Sequence, residues 1–440
     1  MLKTFPKGGI HVDENKISAS KKINILPVPD KVYIPVSQHL GAPSKILVNK
    51  GDKVKVGQLI AEKDGFISSN VHSSVSGTVE KIDLITDASG FKRNAVIIQV
   101  EGDEWIDNID RSNDIKKEIS LSPEEIINKI TQAGIVGMGG ATFPSHVKLM
   151  ANNKKIDCLI INGVECEPYL TADHNLMLEK SEEIVIGIEI IKKALKIDKA
   201  FIGIEANKPD AIIKLSSIAQ KFQGITVQPL KIKYPQGGEK QLIKAITKKE
   251  VPSGGLPIDI GIVVFNVGTT FAIYEAVQKN KPLIERVITV TGKYLSNPGD
   301  YWVRIGTPVI KLIEAAGGIP ENTGKIIFGG PMMGKAIAGT DVPVIKGSSG
   351  VLLLEEKETR RKEILNCIRC AKCVSVCPMG LEPYLLMSLI QKEMYEKSQN
   401  NGILDCMECG CCSYTCPANR PLLDYIRLGK NNIRKLAKKN

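Results

Sequence analysis

The alternation of apolar and polar positions is tightest near the start of the chain. Between Ile46 and Val79, short apolar segments are separated by Gly-Asp and Ser-Gly turns, as in V-N-K-G-D-K-V-K-V-G-Q-L-I. A period of two residues with regular turns predicts the short strands of a small sandwich or barrel. Residues 1–110 share this β-rich character and are predicted to form one N-terminal domain.

A helical period replaces the strand period at Ser122, where S-P-E-E has the form of a capping box with proline in the first turn. Gly134 can terminate this helix. Its apolar stripe consists of Ile126, Ile127 and Ile130.

Strands then alternate with amphipathic helices as far as residue 283. The predicted strands are Ile156–Ile161, Ala200–Ile204, Ile225–Leu230 and Ile260–Asn266. The predicted helices are Leu176–Leu195, Asp210–Phe222, Glu239–Thr247 and Thr270–Gln278. This alternation predicts a parallel sheet covered on both faces, with ligands bound at the carboxyl ends of its strands. Residues 120–283 are therefore predicted to be a Rossmann-like α/β domain.

The last third of the chain predicts two further domains. R-V-I-T-V-T-G, a helix near Pro308–Ala316 and the strand K-I-I-F-G-G-P predict a compact β-grasp module of SLBB type at residues 284–345. Residues 355–440 begin with a charged stretch and contain, at Tyr384–Tyr395, apolar residues at helical spacing. That spacing predicts helices, and together with the cysteine runs described below it predicts a helical ferredoxin module.

Composition narrows the class of protein. The 440 residues are 43% hydrophobic and 24% charged, which is ordinary for a soluble globular chain. No apolar run approaches the roughly 18 residues needed to span a bilayer, and the first residues are not a signal peptide. The net charge of +11 suits an acidic partner or an anionic membrane face, but simple solubility explains it equally well. No nucleic-acid motif accompanies the charge.

Nine of the 11 cysteines lie in two runs, C-I-R-C-A-K-C-V-S-V-C-P and C-M-E-C-G-C-C-S-Y-T-C-P, and eight of them occupy the positions of one repeated pattern. Both fit C-x2-C-x2-C-x3-C-P, which binds [4Fe–4S] clusters in bacterial two-cluster ferredoxins, the fourth cysteine ligating the other cluster. Zinc sites typically use simpler C-x2-4-C pairs, and disulfides would require a secreted chain. The predicted ligands are Cys367, Cys370, Cys373 and Cys416 for one cluster, and Cys406, Cys409, Cys412 and Cys377 for the other. Cys158, Cys166 and Cys411 are expected to be reduced thiols.

Four loops of the α/β region carry glycines or carboxylates: Gly137–Pro144, Asn162–Tyr169, Tyr234–Glu239 and Phe265–Thr269. Glycines let backbone N–H groups approach an anion, and a helix N-terminus favours negative charge. Each loop alone is as well explained by a tight or solvated turn, but together they predict one nucleotide pocket. Iron–sulfur clusters transfer single electrons whereas a nicotinamide gives a hydride, so a flavin is expected between them.

These loops are similar to those of the NADH-binding flavoprotein subunit of respiratory complex I, with its R-G-R-G-G-A-G-F-P-T-G…K, N-A-D-E-S-E-P, Y-x-x-G-E-E and N-N-V-E-T motifs. The resemblance implies FMN and NADH contacts at Gly137, Gly139, Gly140, Lys148, Asn162, Glu165, Glu167, Tyr234, Gly237, Glu239, Asn266 and Thr269. Val136 and Met138 replace two arginines of the first motif, and Val164 replaces an acidic residue. The phosphate of FMN would therefore depend more on backbone N–H groups and Lys148.

The N-terminal F-P-K-G-G-I-H-V-D-E-N-K, the strand-rich segment after it and the doubled cysteine motif resemble the C-subunit family of Rnf electron-transport complexes over essentially the whole chain. Residues 46–79 also resemble a biotinyl/lipoyl-type barrel-sandwich domain, but the position of the modified lysine falls near Phe66 and Lys63 is out of register. An unmodified structural module is therefore expected.

The Rnf resemblance implies a peripheral subunit on the cytoplasmic face of the cell membrane that exchanges electrons with NADH through FMN. It implies as partners the membrane subunits, the iron–sulfur B subunit and, indirectly, ferredoxin, in a complex that pumps ions. Two alternatives stay open. One is a cobalamin reductase of the type found in propanediol-using bacteria. The other is an electron-transfer adaptor whose nucleotide pocket is vestigial.

Overall fold

The computed structural model describes residues 2–150 and 154–437, and these residues form four packed regions. The first region contains β1 (Asn24–Ile25), β2 (Lys31–Pro35), β3 (Lys45–Ile46), β4 (Lys53–Val54), β5 (Leu59–Glu62), β6 (Val71–His72), β7 (Gly77–Thr86) and β8 (Lys92–Val100). Strands β2, β8, β7 and β4 form one antiparallel sheet, and β3, β5 and β6 form a second. Alternate apolar side chains such as Val32, Ile34, Val96 and Ile98 are fully buried in their shared core. The predicted barrel-sandwich is confirmed.

The second region is the α/β domain. It contains α1 (Pro123–Gln132), α2 (Ser145–Leu149), β9 (Cys158–Asn162), α3 (Ala172–Glu179), α4 (Ser181–Leu195), β10 (Ala200–Glu205), α5 (Pro209–Ala219), β11 (Ile225–Leu230), α6 (Glu239–Thr247), β12 (Ile262–Asn266) and α7 (Val267–Lys279). The sheet is parallel throughout, in the order β11-β10-β9-β12, as the alternating pattern predicts. The capping box at Ser122 is formed, with reciprocal hydrogen bonds between Ser122 and Glu125.

Most elements of this domain differ from the sequence prediction by one to three residues at an end, and two of the differences have a clear local cause. The single helix predicted at Leu176–Leu195 is two helices, because the chain leaves helical geometry at Lys180 and the Ser181 hydroxyl donates back to the Met177 carbonyl oxygen. Strand β12 begins two residues later than predicted, because Pro257–Ile260 form a 3-10 turn that ends at Gly261 in the left-handed region.

The third region contains β13 (Glu285–Thr291), β14 (Gly299–Arg304), α8 (Val309–Ala315), β15 (Thr323–Phe328), β16 (Lys335–Ala336), β17 (Gly350–Glu355) and α9 (Glu356–Thr359). Its sheet has the order β1-β14-β13-β17-β15-β16. Strand β17 therefore lies in the middle of the sheet, although it follows the predicted range 284–345 in sequence. Strand β1 from the first region completes the opposite edge.

The fourth region is helical, as predicted. It contains α10 (Lys372–Ser375), α11 (Pro383–Gln391), α12 (Tyr395–Asn400), α13 (Cys411–Thr415) and α14 (Leu422–Ala437). Helices α11 and α14 pack around a small core that includes Leu386, Ile390 and Ile426. In the part of the chain that the structure describes, no helix is long and apolar enough to cross a membrane.

The N-terminal segment, residues 3–12, joins the second region to the fourth. Ile10 exchanges two backbone hydrogen bonds with Tyr234, at 2.8 and 2.9 Å. The Gly9 N–H donates to the carbonyl oxygen of Val376 at 2.9 Å, directly before Cys377. This segment is therefore inserted between the α/β domain and the cysteine-rich domain.

Candidate functional site

Two asparagines mark the carboxyl edge of the α/β sheet. Asn162 ends β9 and Asn266 ends β12, and they are register partners in neighbouring strands. Asn266 caps α7, because its Oδ1 accepts from the N–H groups of Gly268 (2.8 Å) and Thr269 (3.4 Å). Asn162 donates through Nδ2 to the Gly237 carbonyl oxygen at 2.9 Å. The sheet thus places three of the four predicted loops at one edge.

The fourth loop, Gly137–Pro144, packs against this edge. The Met138 N–H donates to Thr269 Oγ1 at 2.8 Å, and the Gly137 N–H donates to the Phe143 carbonyl oxygen at 2.8 Å. Gly139 lies so close to Asn266 that a Cβ there would be 3.3 Å from the Asn266 Cβ. Gly140 has a φ of +119°, a conformation that favours glycine.

The tip of this loop presents free hydrogen-bond donors. Among the described residues, the N–H groups of Gly139, Gly140 and Ala141 have no acceptor. Consecutive free backbone N–H groups form a concavity that binds anions. These donors fit the phosphate of a flavin mononucleotide, which would be held here without the arginines of the related motif.

Lys148 has a different environment from the one expected of a phosphate ligand. Its Nζ donates to Glu239 Oε1 at 2.9 Å and to the Val264 carbonyl oxygen at 3.0 Å. Both predicted residues are therefore together at the end of β12, but they are paired with each other. A ligand phosphate would have to compete with Glu239 for this ammonium group.

The two carboxylates of the acidic turn point into the protein. Glu165 accepts from the N–H groups of Asp173 (2.8 Å) and His174 (3.1 Å), and so satisfies the first turn of α3. Glu167 Oε2 accepts from the Met332 N–H at 3.1 Å, whereas its Oε1 is buried and has no partner among the described residues. Burial raises the pKa of Glu167 to about 7, against the lowering effect of the Met332 and Met333 N–H groups.

Three charged side chains near this turn were missed by the sequence analysis. Asp173 accepts from Asn266 Nδ2 at 2.7 Å, and burial, followed by the neighbouring Glu165, raises the pKa of Asp173 to about 7. Lys16 donates to the carbonyl oxygens of Glu165 (2.8 Å) and Glu167 (2.9 Å), and Lys208 donates to that of Val164 (2.8 Å). Neither lysine lies in one of the four loops, so only the tertiary structure shows their role.

Tyr234 faces the cysteine-rich domain and is only 2% exposed. Its hydroxyl donates to the Cys409 carbonyl oxygen at 2.9 Å. It shares one apolar cluster with Ile10, Cys409 and Cys411, and Cys166 packs against this cluster. Cys166 Sγ in turn accepts from the Gly237 N–H at 3.3 Å, which connects this interface to the edge of the sheet.

The predicted nucleotide contacts therefore fall into three groups. The glycine loop and the sheet edge bring together Gly137, Gly139, Gly140, Asn162, Gly237, Asn266 and Thr269. Lys148 and Glu239 form an ion pair beside them. Glu165, Glu167 and Tyr234 lie deeper, towards the third and fourth regions. Their roles as cofactor contacts stay predictions.

Four cysteines, which we call the inner cysteines, lie near one another: Cys377, Cys406, Cys409 and Cys412. Burial, with smaller contributions from the thiols of Cys406, Cys409 and Cys377, raises the pKa of Cys412 to about 12. Burial likewise raises the pKa of Cys406 to about 11, with smaller contributions of the same sign from Cys409 and Cys377. Cys377 thus lies with the second run of cysteines, and its role as a ligand of that cluster stays a prediction.

The remaining four, the outer cysteines, are more accessible: Cys367, Cys370, Cys373 and Cys416. Cys367 and Cys370 are exposed, whereas Cys373 and Cys416 are partly buried against one apolar cluster with Leu422. The Tyr384 phenol lies near the thiols of Cys373 and Cys367, which contribute to its raised pKa after the dominant effect of Glu382.

The donor set fits two iron–sulfur clusters, because the two runs supply the eight thiolates of a doubled C-x2-C-x2-C-x3-C-P pattern. The eleven cysteines form no disulfide. Cys411 is a buried extra thiol hydrogen-bonded to Cys409.

Comparison with protein families gives four matches along the chain. They are the RnfC barrel sandwich hybrid domain at residues 3–103, the Nuo51 FMN-binding domain at 130–275, the SLBB domain at 287–336 and the 4Fe-4S dicluster domain at 361–417. A solved NAD+-reducing [NiFe]-hydrogenase in its H2-reduced state aligns with a TM-score of 0.50 and 19% identity, over 71% of this chain and 63% of that one. This last likeness concerns the fold alone.

Relatives of known name match nearly the full length. The C subunit of the proton-translocating ferredoxin:NAD(+) oxidoreductase complex of Clostridium ljungdahlii is 49% identical over 440 residues, covering 99% of this chain and 95% of the relative. The C subunit of the Na(+)-translocating complex of Acetobacterium woodii is 45% identical, covering 97% and 96%. The C subunit of the ion-translocating oxidoreductase complex of Rhodobacter capsulatus is 42% identical, covering 97% and 83%.

Proposed function

This chain belongs to the C-subunit family of ion-translocating ferredoxin:NAD(+) oxidoreductases, and from that premise we propose that it is the electron-input subunit of such a complex. It exchanges a hydride with NADH through FMN and single electrons with partner subunits through two [4Fe–4S] clusters. The domains for both cofactors are present in one polypeptide.

The observation that carries the proposal is the continuous packing between the nucleotide edge and the inner cysteines. Asn162 bonds to Gly237, Gly237 bonds to Cys166, and Cys166 packs with Tyr234 against Cys409 and Cys411. Each residue on this path is buried or half-buried, so the two sites are joined through the protein interior. A nucleotide at this sheet edge would lie next to the buried end of the cysteine-rich domain.

A bound flavin would supply the conversion of one hydride into two single electrons. The side chains and backbone of this chain have the complementary tasks. The free N–H groups at Gly139–Ala141 bind the phosphate, and the capped N-terminus of α7 adds favourable positive potential. Asn162 and Asn266 are fixed by their own hydrogen bonds, so the polar edge that faces the ligand is preorganised.

The proposal extends to partners and location. The chain is proposed to lie on the cytoplasmic face of the membrane, bound to membrane subunits and to the iron–sulfur B subunit of the same complex, with ferredoxin as an indirect partner. The relatives' names support assembly with other subunits, since each is named as the C subunit of a complex. Membrane attachment would be through those partners.

Anaerobic reconstitution tests the function directly. We expect the purified chain, supplied with iron, sulfide and FMN, to hold about eight iron atoms, as two [4Fe–4S] clusters require. NADH should bleach the flavin absorption first and the cluster absorption afterwards, and omission of FMN should abolish both changes. Clusters that stay oxidised in the flavin-loaded protein after NADH is added would refute the proposal.

The Lys148–Glu239 ion pair favours one competing function, an adaptor that relays electrons between partners and binds no nucleotide. Equilibrium titration separates the two. Saturable FMN binding that weakens in Gly140→Val, where a side chain would meet open space but block the loop tip, supports the flavin site. No binding of FMN or NADH to the folded, cluster-loaded chain would support the adaptor.

A further inference from the structure

The segment from Arg360 to Lys372, which we call the basic segment, has an unusual surface. It contains the outer ligands Cys367 and Cys370, and every one of its residues is exposed. It forms no helix or strand before Lys372. It is fixed at the protein surface by two hydrogen bonds, from the Leu365 N–H to the Ala418 carbonyl oxygen (3.0 Å) and from Asn419 Nδ2 to the Glu363 carbonyl oxygen (3.0 Å).

Apolar side chains surround the exposed cysteines. Ile364 is 56% exposed, Leu365 is 50% exposed and Ile368 is 69% exposed, and Tyr384 extends the same surface from α11. Single exposed apolar residues are common, but a contiguous group usually marks an interaction surface. Ile364, Leu365 and Ile368 lie within three residues of Cys367 in sequence, and Tyr384 lies near its thiol, so the group is next to the exposed outer ligands.

Positive charge accompanies the apolar group. The basic segment has five lysines and arginines and one glutamate. Arg360 pairs with Glu356 and Arg361 with Asp424. Lys362, Arg369 and Lys372 have no carboxylate within 4.0 Å among the described residues. Three unpaired cations at the rim of an apolar surface would favour a negatively charged partner.

We propose that the basic segment is the docking surface on which an acidic iron–sulfur protein or domain exchanges electrons with this chain. The inference rests on the proposed function and extends it by assigning the outer cysteines to the exit of the chain. Each encounter transfers one electron between the two partners, and no bond forms or breaks. The inner cysteines are unsuitable for this role because Tyr234, Ile10 and the N-terminal segment cover them.

A membrane surface is the other class of partner that a basic, apolar segment can bind. The position of Cys367 and Cys370 within the segment favours a redox protein, because an outer cluster covered by lipid would be separated from any acceptor. Ile368 lies between Cys367 and Cys370 in sequence, and Ile364 and Leu365 lie just before them. Burying these side chains in a protein partner would therefore bring the two redox centres close together.

Binding measurements test the proposal without relying on turnover. The probe is an acidic two-[4Fe–4S] ferredoxin, which represents the proposed class of partner by its charge and cluster type and is not assumed to be the partner in the complex. The anaerobic, cluster-loaded full chain is immobilised. The variant Lys362→Glu/Arg369→Glu/Lys372→Glu should lower the association rate constant on the order of tenfold at low salt, and the difference should shrink as salt rises. The matched control Lys45→Glu/Lys53→Glu/Lys92→Glu changes the total charge equally on exposed residues of the barrel-sandwich, and should retain the wild-type rate within about twofold.

Ile368→Ala provides an independent apolar test. It should speed dissociation several-fold and leave the association rate constant nearly unchanged, because contact area is lost but charge is not. Iron content and reduction of both clusters by NADH should equal those of the wild type in every variant. If the triple variant loses iron, Lys362→Glu alone, five residues before Cys367, should still lower the association rate.

Equal ferredoxin binding by the wild type and both triple variants would overturn the proposal. So would binding of the segment to phosphatidylglycerol vesicles with no binding to the ferredoxin. Failure of NADH to reduce the wild-type clusters would instead refute the proposed function, and the binding measurements would still decide the docking surface.

Discussion

The two cysteine runs share one spacing pattern, but their surroundings are opposite. Three of the inner cysteines, Cys377, Cys409 and Cys412, are buried, whereas Cys367 and Cys370 of the outer set are exposed. The pattern C-x2-C-x2-C-x3-C-P specifies the ligands. The neighbouring domains determine how much water and charge surround them, and those surroundings tune reduction potential. A repeated motif can therefore give two centres with different tasks.

The covering of the inner cysteines comes from distant parts of the sequence. The N-terminal segment contributes Gly8 and Gly9, and the α/β domain contributes Tyr234. Gly8 has a φ of +66°, and a Cβ at this position would be 2.5 Å from the Cys377 carbonyl carbon. Inner and outer sites thus differ because one is part of an interdomain interface and the other is not.

Substitution of Cys377 is expected to have the largest effect and tests the comparison itself. Cys377 lies in the first run but near the cysteines of the second, so Cys377→Ser should remove the same cluster as Cys409→Ser. About half of the iron should be lost in each variant. The measurement is iron and sulfide content together with the electron paramagnetic resonance spectrum of the remaining reduced cluster.

Cys370→Ser is the matched control, because it should remove the outer cluster and leave the inner one. Its residual spectrum should differ from the spectrum shared by Cys377→Ser and Cys409→Ser. If Cys377→Ser instead leaves the same spectrum as Cys370→Ser, the ligands are not crossed and the inner set is defined incorrectly.

Local pattern predicted much of the fold. Strand Ile225–Leu230 and helix Glu239–Thr247 have the predicted bounds, because glycine or polar turns flank clear periodic segments. Long-range pairing has no such local signal. Two-residue strand β1 at the edge of the third sheet and central strand β17 both depend on partners far away in sequence.

In the candidate site, too, local pattern predicts one part and long-range contacts determine the rest. The positions of the four loops follow from glycines after strands, but the partners of their side chains do not. No local pattern indicates that Lys148 pairs with Glu239, that Glu167 reaches the Met332 N–H, or that Asp173 is buried beside Glu165. The contact of Gly8 with Cys377 also joins the two ends of the chain.

Gly8→Ala should have the next largest effect, confined to the inner site. The left-handed conformation alone costs an alanine about 1–2 kcal/mol. The Cβ must also displace the Cys377 peptide, which should add about 1–3 kcal/mol. We expect a shifted midpoint potential and slower reduction of the inner cluster after NADH is added, with an unchanged rate of flavin bleaching.

Gly102→Ala is the control for Gly8→Ala. Gly102 has the same φ of +66°, and the nearest atom to its Cβ would be Ser76 Oγ at 3.9 Å. It should lower the stability of the protein only through the cost of a left-handed backbone conformation, and it should leave both cluster potentials unchanged. Equal potentials in the two variants would show that the N-terminal segment does not position the inner site.

Treatment with a chelator should reveal a smaller difference between the two sites, in their rates of iron release. Because Cys367 and Cys370 are exposed, iron should leave the outer site roughly tenfold faster than the inner site when the oxidised protein is treated with a chelator. The time course of iron release should have two phases of similar amplitude. Alkylation of the released thiols followed by mass spectrometry should show Cys367 and Cys370 modified first, and a single phase would contradict the distinction between sites.

Tyr234→Phe should have the smallest effect, and the informative result is which of the two clusters it destabilises. The change removes one buried hydrogen bond to the Cys409 carbonyl oxygen and keeps the apolar packing, so it should cost about 1 kcal/mol. The urea midpoint for loss of the inner iron should fall, while that for the outer iron stays constant. Tyr294→Phe, at a tyrosine that is 59% exposed, should change neither midpoint. An equal fall in both midpoints would mean that Tyr234 stabilises the cysteine-rich domain as a whole. The interdomain contact would then not stabilise the inner site specifically.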